Sequence, residues 1–288
     1  MSAPTKTILV TGVTGQVGGE LAKRLVAAGA DVRGLTRDAS HARAALHGAR
    51  AVQGDFDVPS TLAAAFAGAQ SAFFVAPASP RLAELGGHFF EAAKNAGVRH
   101  VVIVSSATIQ FEPRPAIGHW HWELEQRLEA SGLGWTMLRP GNFASNVLRW
   151  VPMIRGQGTV FQPYGDAKSS PIDPHDIAAV AFTALTTPNH EGKRYTLTGP
   201  ELLSAREQVE KIGKVLGKVI RFIDVPEDGA RRGMIGAGMP ELMADAVLEV
   251  VRASATSGGF KTTTVRDVTG REARSFDDWL RDTAAALA

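Results

Sequence analysis

The sequence predicts an α/β fold built on a doubly wound parallel sheet, followed by a smaller C-terminal α/β lobe. Three observations carry this. Short apolar runs alternate with helical patterns through the first half of the chain. Those runs show little polar alternation, as expected of strands covered by helices on both faces. Repeated β-α units in turn favour parallel pairing. With 288 residues, 44% of them hydrophobic, the chain can bury one large domain or a domain plus a lobe.

The expected strands are Thr7–Thr11, Asp31–Leu35, Ala51–Gln53, Ser71–Val75, Val101–Ser105 and Trp135–Leu138. Between them lie helical patterns at Gln16–Ala28, Thr61–Phe66, Leu82–Ala96 and Trp120–Ser131. The second half is less regular. A helix is expected over Asp173–Leu185, a strand over Arg194–Thr198, and a helix over Ser204–Leu216, capped by Ser204 with Glu207 three residues on. Val219–Val225 reads as a strand, and Glu241–Ala255 and Phe276–Leu287 as helices. No repeat, low-complexity tract or flexible linker interrupts the chain. The expected division is 1–150 and 151–288, with segments around 173–199 returning to the main sheet.

Composition excludes several functions. Lys and Arg total 31 against 29 Asp and Glu, a net charge of +2, and no basic run marks a nucleic-acid partner. There is no cysteine, hence no disulfide, thiolate metal site or cysteine nucleophile. The start, Met1 to Lys6, lacks the regions of a signal peptide, and no apolar run reaches membrane-spanning length. A cytoplasmic monomer or homodimer without membrane or metal partners is expected.

Thr11-Gly12-Val13-Thr14-Gly15-Gln16-Val17-Gly18 follows a strand and opens a helix. Glycine supplies the tight turn, and a missing Cβ lets backbone approach a pyrophosphate. The helix N-terminus then faces the anion with free N–H groups. The spacing is Gly-x-x-Gly-x-x-Gly, and its context makes the first part of the chain a Rossmann dinucleotide-binding domain. After the second strand, Thr36 stands where an NAD site would place an acid, and Arg37 follows. A guanidinium suits a 2′-phosphate, so NADP(H) is the expected cofactor. In the alternative, Arg37 is a solvated loop charge and Asp38 takes the ribose. Asp55 and Phe56, after the third strand, are expected beside the adenine. Ala76, Pro77, Ser105, Pro140, Asn142 and Phe143 complete the expected cofactor-side set.

These residues resemble the NmrA-like branch of the atypical short-chain dehydrogenases over nearly the whole chain. The phosphate loop, Gly54-Asp55-Phe56, Val104-Ser105-Ser106, Ser131-Gly132-Leu133, Leu138-Arg139-Pro140-Gly141-Asn142-Phe143 and Tyr195 to Glu201 carry the resemblance. It implies NADPH-dependent reductases of quinones and related dyes, with Asn142 and Asn146 near the nicotinamide and substrate. For Asn142, helix capping is the competing reading.

The superfamily's Tyr-x-x-x-Lys pair is absent from its usual helix, where an ungapped reading places Ile117 and His121. Tyr164-Gly-Asp-Ala-Lys168 matches the string but lies beyond Arg139-Pro140, with Pro163 and Gly165 favouring a loop. Hydride addition to a ketone gives a basic alkoxide that needs a positioned acid, whereas a quinone or conjugated dye gives a far less basic anion. The missing pair therefore disfavours alcohol dehydrogenase and epimerase chemistry. In His119-Trp120-His121-Trp122-Glu123 the histidines point about 200° apart, which rules out a shared metal on one helix face. One reading has one Trp in the core and one His solvated. The sharper one has Trp120 and Trp122 walling an acceptor pocket, joined by Phe111, Phe143, Trp150 and Phe161, with His121 donating a proton. The expected function is an NADPH-dependent reductase of a small aromatic acceptor. The alternative is a regulator that senses NADP(H) and docks a partner.

Overall fold

A computed structural model of the chain describes residues 6–38, 46 and 48–288. Met1 to Thr5, the start of the segment without signal-peptide regions, lie outside the described residues. Two compact units are present. The first comprises the chain up to Ser106, Trp120–Arg139 and Pro174–Thr196. The second comprises Ala107–His119, Pro140–Asp173 and Leu197–Ala288.

The first unit is a seven-stranded sheet in the order β3-β2-β1-β4-β5-β6-β9. Its strands are β1 (Thr7–Val10), β2 (Asp31–Thr36), β3 (Arg50–Gln53), β4 (Ser71–Phe74), β5 (His100–Val104), β6 (Gly134–Pro140) and β9 (Lys193–Leu197). The pairs β1–β2, β2–β3, β1–β4, β4–β5 and β5–β6 are parallel, with Ile8 opposite Val32 on one side and Ser71 on the other. The chain leaves β1 toward β2 and β3, then returns to add β4 on the other side. That reversal opens a crevice at the C-terminal ends of β1 and β4, the place where doubly wound sheets bind ligands.

Flanking helices are α1 (Gln16–Ala27), α2 (Leu62–Phe66), α3 (Leu82–Asn95), α4 (Ala116–Ala130) and α6 (Pro174–Thr186), which packs on α1. In α1, Val17, Gly18, Leu21, Ala22 and Leu25 form one buried face. Phe74, Phe89 and Phe90 anchor the core, with Phe74 and Phe89 ring centroids 5.0 Å apart. Helix α4 starts at Ala116, a turn before the expected Trp120. Pro115, just ahead of it, accepts the His119 N–H and sets the first turn.

The second unit holds two small sheets, parallel β7 (Thr159–Gln162) with β11 (Arg221–Asp224) and antiparallel β8 (Lys168–Ser169) with β10 (Leu203–Ser204). Helices α5 (Val151–Gln157), α7 (Ala205–Leu216), α8 (Glu227–Gly236), α9 (Glu241–Ser257), α10 (Thr264–Thr269) and α11 (Phe276–Leu287) surround them. Ser204 and Glu207 form a complete capping box on α7, and Ser275 with Asp278 forms another on α11. Helix α8 has no apolar period in the sequence to reveal it, because Gly229, Gly233 and Gly236 occupy three of its ten positions. The expected strand from Val219 shortens to Arg221–Asp224, leaving Val219 93% exposed.

Candidate functional site

The glycine-rich loop leaves the C-terminal end of β1. Gly12 takes φ +62°, and its carbonyl accepts the Gly15 N–H at 2.9 Å, closing the turn. A Cβ on Gly18 would fall 2.3 Å from the Gly12 carbonyl oxygen, so only glycine lets α1 start this close to the loop. Thr11 is buried and locks the loop to β4. Its hydroxyl donates to the Val75 carbonyl at 3.0 Å and accepts the Val75 N–H at 2.8 Å. Val17 and Gly18 face the core, whereas Gly12, Thr14, Gly15 and Gln16 are exposed. Among the described residues no side chain caps α1 and no acid sits in its first turn. An open cradle of backbone N–H groups at a helix N-terminus fits a dinucleotide pyrophosphate.

Around this crevice the first unit places Arg37 exposed after β2. Thr36, which replaces the acid of an NAD site, turns its hydroxyl onto the Asp38 backbone at 3.0 Å and 3.2 Å. Asp55 accepts the Asp57 N–H through Oδ1 at 3.0 Å, shaping the turn after β3. Phe56 is half-buried against Phe74 at 5.3 Å, and its carbonyl lies 2.8 Å from His88 Nδ1. Ala76 packs on the core and Pro77 is exposed.

At the ends of β5 and β6 a buried polar cluster has no signature in the sequence. Glu125, on α4 and 1% exposed, takes both prongs of Arg139, Nε to Oε1 at 2.9 Å and Nη2 to Oε2 at 2.5 Å. The Ser105 hydroxyl donates to Glu125 Oε1 at 2.5 Å. Ser105, expected on the cofactor, thus has its proton committed to a carboxylate.

His121, the expected proton donor, lies inside the protein. It is buried, its Nδ1 has no hydrogen-bond partner, and burial lowers its pKa to about 4. The ring is therefore held neutral near pH 7. Trp120 is half-buried against the core of the first unit, while Trp122 is 39% exposed and His119 is exposed. Trp120 thus contributes part of its ring to the core of the first unit.

In the second unit, Pro140 is buried at the end of β6 and Phe143 bridges Ile172. Asn142 does not cap the following 3-10 helix, Ala144–Trp150. Phe143 holds the cap position there without a side-chain bond. Asn142 instead donates to Ser169 Oγ at 3.3 Å and accepts from Asn146 Nδ2 at 2.7 Å. Arg149 Nη2 donates to Asn146 Oδ1 at 2.7 Å. Trp150 packs on the apolar cluster of this unit, and Phe111 and Phe161 are half-buried. The string Tyr164 to Lys168 forms a loop entering β8, with Tyr164 at φ +57°. The Tyr164 hydroxyl donates to Glu227, and Lys168 lies 3.7 Å from Glu207. Among the described residues no cluster of three or more His, Asp or Glu could hold a metal, and no helix is long and apolar enough to cross a membrane.

The model of the NmrA-like family matches residues 4–280. The chain belongs to the NmrA-like family. It is 37% identical to the NAD(P)H azoreductase of Xenophilus azovorans over 97% of this chain and 99% of that protein. It is 40% identical to the (4-alkanoyl-5-oxo-2,5-dihydrofuran-3-yl)methyl phosphate reductase of Streptomyces griseus subsp. griseus, over 98% and 99%. Its fold is that of the NADPH-dependent quinone oxidoreductase of Escherichia coli solved with NADPH. The TM-score is 0.84 at 23% identity, covering 96% of this chain and 99% of that one.

Proposed function

We propose that this NmrA-like chain is an NADPH-dependent reductase of a quinone or related conjugated acceptor, azo and triphenylmethane dyes included. What carries the reading is an intact dinucleotide cradle in a chain whose literal Tyr164 and Lys168 are each held by a different carboxylate. When bound, NADPH supplies a hydride from its nicotinamide. The exposed backbone of Gly12, Thr14, Gly15 and Gln16 receives the pyrophosphate, and Arg37 the 2′-phosphate. Asp55, Phe56, Ala76 and Pro77 line the adenosine side. The Ser105 hydroxyl donates a hydrogen bond to Glu125 and burial keeps His121 neutral, so this reading places no charged acid at either position. A quinone that gains a hydride becomes a stabilised phenolate-type anion, and solvent water completes it with a proton. An acceptor of that kind makes the missing Tyr-Lys pair tolerable. Phe111, Asn142, Asn146 and Trp150 in the second unit are the acceptor-side candidates. An azoreductase and a reductase of an unsaturated lactone phosphate as full-length relatives support the class.

The test follows NADPH consumption with menadione, an azo dye and a triphenylmethane dye. Turnover of at least one is expected. Tight NADPH binding with no turnover of any would favour the regulator that only senses the cofactor.

A further inference from the structure

We propose that the first unit carries a second ligand site, a pocket for a phosphate group that bears a proton, at the end of the sheet opposite the cofactor cradle. The site is independent of the reductase reading. Lys6, Gln70 and Arg99 stand just before β1, β4 and β5, and His100 is the first residue of β5. These strands are parallel neighbours, so their N-terminal ends meet, and the loop from α6 to β9 adds His190 and Glu191 to the same wall. Together they line a cavity of about 330 Å³ that lies wholly within the first unit. Its charges suit an anion. Lys6 donates to the Leu185 carbonyl at 2.6 Å, and its other ammonium N–H groups remain. Gln70 Oε1 accepts the Thr7 N–H at 3.2 Å, so its Nε2 is a further donor. Arg99 adds a guanidinium, against Glu191 as the one acid among the described residues of the wall. Burial and then Arg99 lower the Lys6 pKa, with Glu191 opposing them, and an anion between the two cations would relieve their repulsion.

His100 decides which anion. It is 7% exposed. The Thr136 hydroxyl spends its proton on the His190 carbonyl at 2.6 Å, so its oxygen must accept from His100 Nε2 at 2.9 Å. Nε2 therefore carries the ring proton, and Nδ1 is the ring atom left to meet a ligand. Burial, followed by Lys6 and His190, lowers the His100 pKa to about 4, so Nδ1 is a bare acceptor near neutral pH. His190 offers no such atom. The Thr187 hydroxyl donates to the Thr183 carbonyl at 2.8 Å and so accepts from His190 Nε2 at 2.9 Å, while the Tyr195 hydroxyl donates to His190 Nδ1 at 2.9 Å. The wall thus holds an imidazole acceptor beside two cations. Lys6 and Arg99 repel a cationic donor. Sulfate and carboxylate have no proton to give, and would set an oxygen lone pair against the Nδ1 lone pair. A phosphate with a P–OH donates to Nδ1 and offers its other oxygens to Lys6, Arg99 and Gln70.

Calorimetry near pH 6 tests this, with sodium phosphate and sodium sulfate titrated at equal ionic strength into protein saturated with NADP, whose own phosphates then fill the cradle. His100 is still neutral there, and a phosphate monoester keeps its proton about half the time. Wild type should bind phosphate at least roughly tenfold more tightly than sulfate, although sulfate carries the greater charge. Lys6→Gln and Arg99→Gln should each weaken phosphate roughly tenfold and leave NADP binding unchanged. In His100→Gln an amide N–H can still reach Thr136 while nothing replaces the Nδ1 acceptor, so the phosphate-to-sulfate ratio should fall close to one. Glycerol 3-phosphate names the source. Binding tighter than that of free phosphate assigns the site to a phosphorylated metabolite, and weaker binding assigns it to the free ion. Equal wild-type affinities for phosphate and sulfate overturn the proposal, because cations alone would give them. So does an absence of phosphate binding, or binding that neither Lys6→Gln nor Arg99→Gln changes. Lys6 is half-buried and Arg99 exposed, so these variants and the wild-type ratio decide the matter even if His100→Gln fails to fold.

Discussion

In residues 11–18 a glycine-rich backbone turns back on itself at Gly12 and leaves the first N–H groups of α1 open. In residues 164–168 a tyrosine and a lysine four positions apart turn to different partners, Tyr164 to Glu227 and Lys168 to Glu207. Both stretches match strings associated with chemistry. The first sits between a parallel strand and the helix it requires. The second sits on a loop with φ +57° at Tyr164, where no helix brings positions i and i+4 to one face. A spacing carries chemistry only when the element beneath it has the matching period.

The largest effect that could break this contrast is at Gly18. In Gly18→Val the Cβ would meet the Gly12 carbonyl oxygen at 2.3 Å, a backbone atom that cannot rotate away. The loop must open, and NADPH and NADH should both bind roughly a hundredfold more weakly, about 3 kcal/mol. Gly15→Val brings a Cβ only to 3.2 Å of the same oxygen, but its methyls enter the exposed cradle, so a smaller loss on both cofactors is expected. Fluorescence titration reads both. Undiminished affinity in Gly18→Val would mean that the loop is an ordinary turn.

His121 tests a different kind of substitution, an imidazole where the superfamily keeps its lysine. Burial lowers its pKa to about 4, from 6.5 in an unfolded chain. Between these values the unfolded chain binds more protons than the folded one. Stability is therefore full above pH 6.5 and declines as pH falls toward 4. The full loss is about 3 kcal/mol for a shift of this size. His100 is lowered to about 4 as well, by burial first and then by Lys6 and His190, and adds to the same slope. Urea unfolding from pH 4 to 8 should show the decline, and His121→Gln should flatten it. A pH-independent stability together with a kcat that titrates with His121 would support the proton-donor role.

A third and smaller effect concerns cofactor choice. Arg37→Ala should weaken NADPH about tenfold, as expected for one exposed charge on a phosphate, and leave NADH nearly unchanged. Equal losses would hand the ribose to Asp38.

Much of this contrast was legible before any coordinates, and the rest was hidden for physical reasons. Strands β4 and β5 show as apolar runs because every residue in them is buried, whereas the edge strand β3 has exposed ends. Ser204 and Glu207 announce α7 because a capping box has a fixed spacing. The partners of side chains have no such period. Glu125 is one of several acids on α4, and nothing in its neighbours says that Ser105, just past β5, and Arg139, on β6, converge on it. Asn142 reads equally well as a helix cap or a ligand contact, and only the third dimension shows it bonded to Ser169 and Asn146.

The smallest expected effect closes the comparison. If Tyr164 and Lys168 were a catalytic pair, Tyr164→Phe or Lys168→Ala would lower kcat by orders of magnitude with folding and NADPH binding intact. The geometry points the other way. Tyr164 donates to Glu227, and this bond holds its phenol pKa above the ordinary tyrosine value, the reverse of what an acid poised near pH 7 requires. Arg252 also binds Glu227, so the phenol is one edge of a surface network around that carboxylate. Lys168 is half-exposed against Glu207, whose main task is to cap α7 through the Ser204 N–H at 2.7 Å. Exposed pairs of this kind contribute about 0–1 kcal/mol to stability. Each variant should therefore keep kcat for menadione within about twofold and unfold within about 1 kcal/mol of wild type. A collapse of turnover in Tyr164→Phe at unchanged stability would show that the loop rearranges on binding and that the string carries chemistry after all.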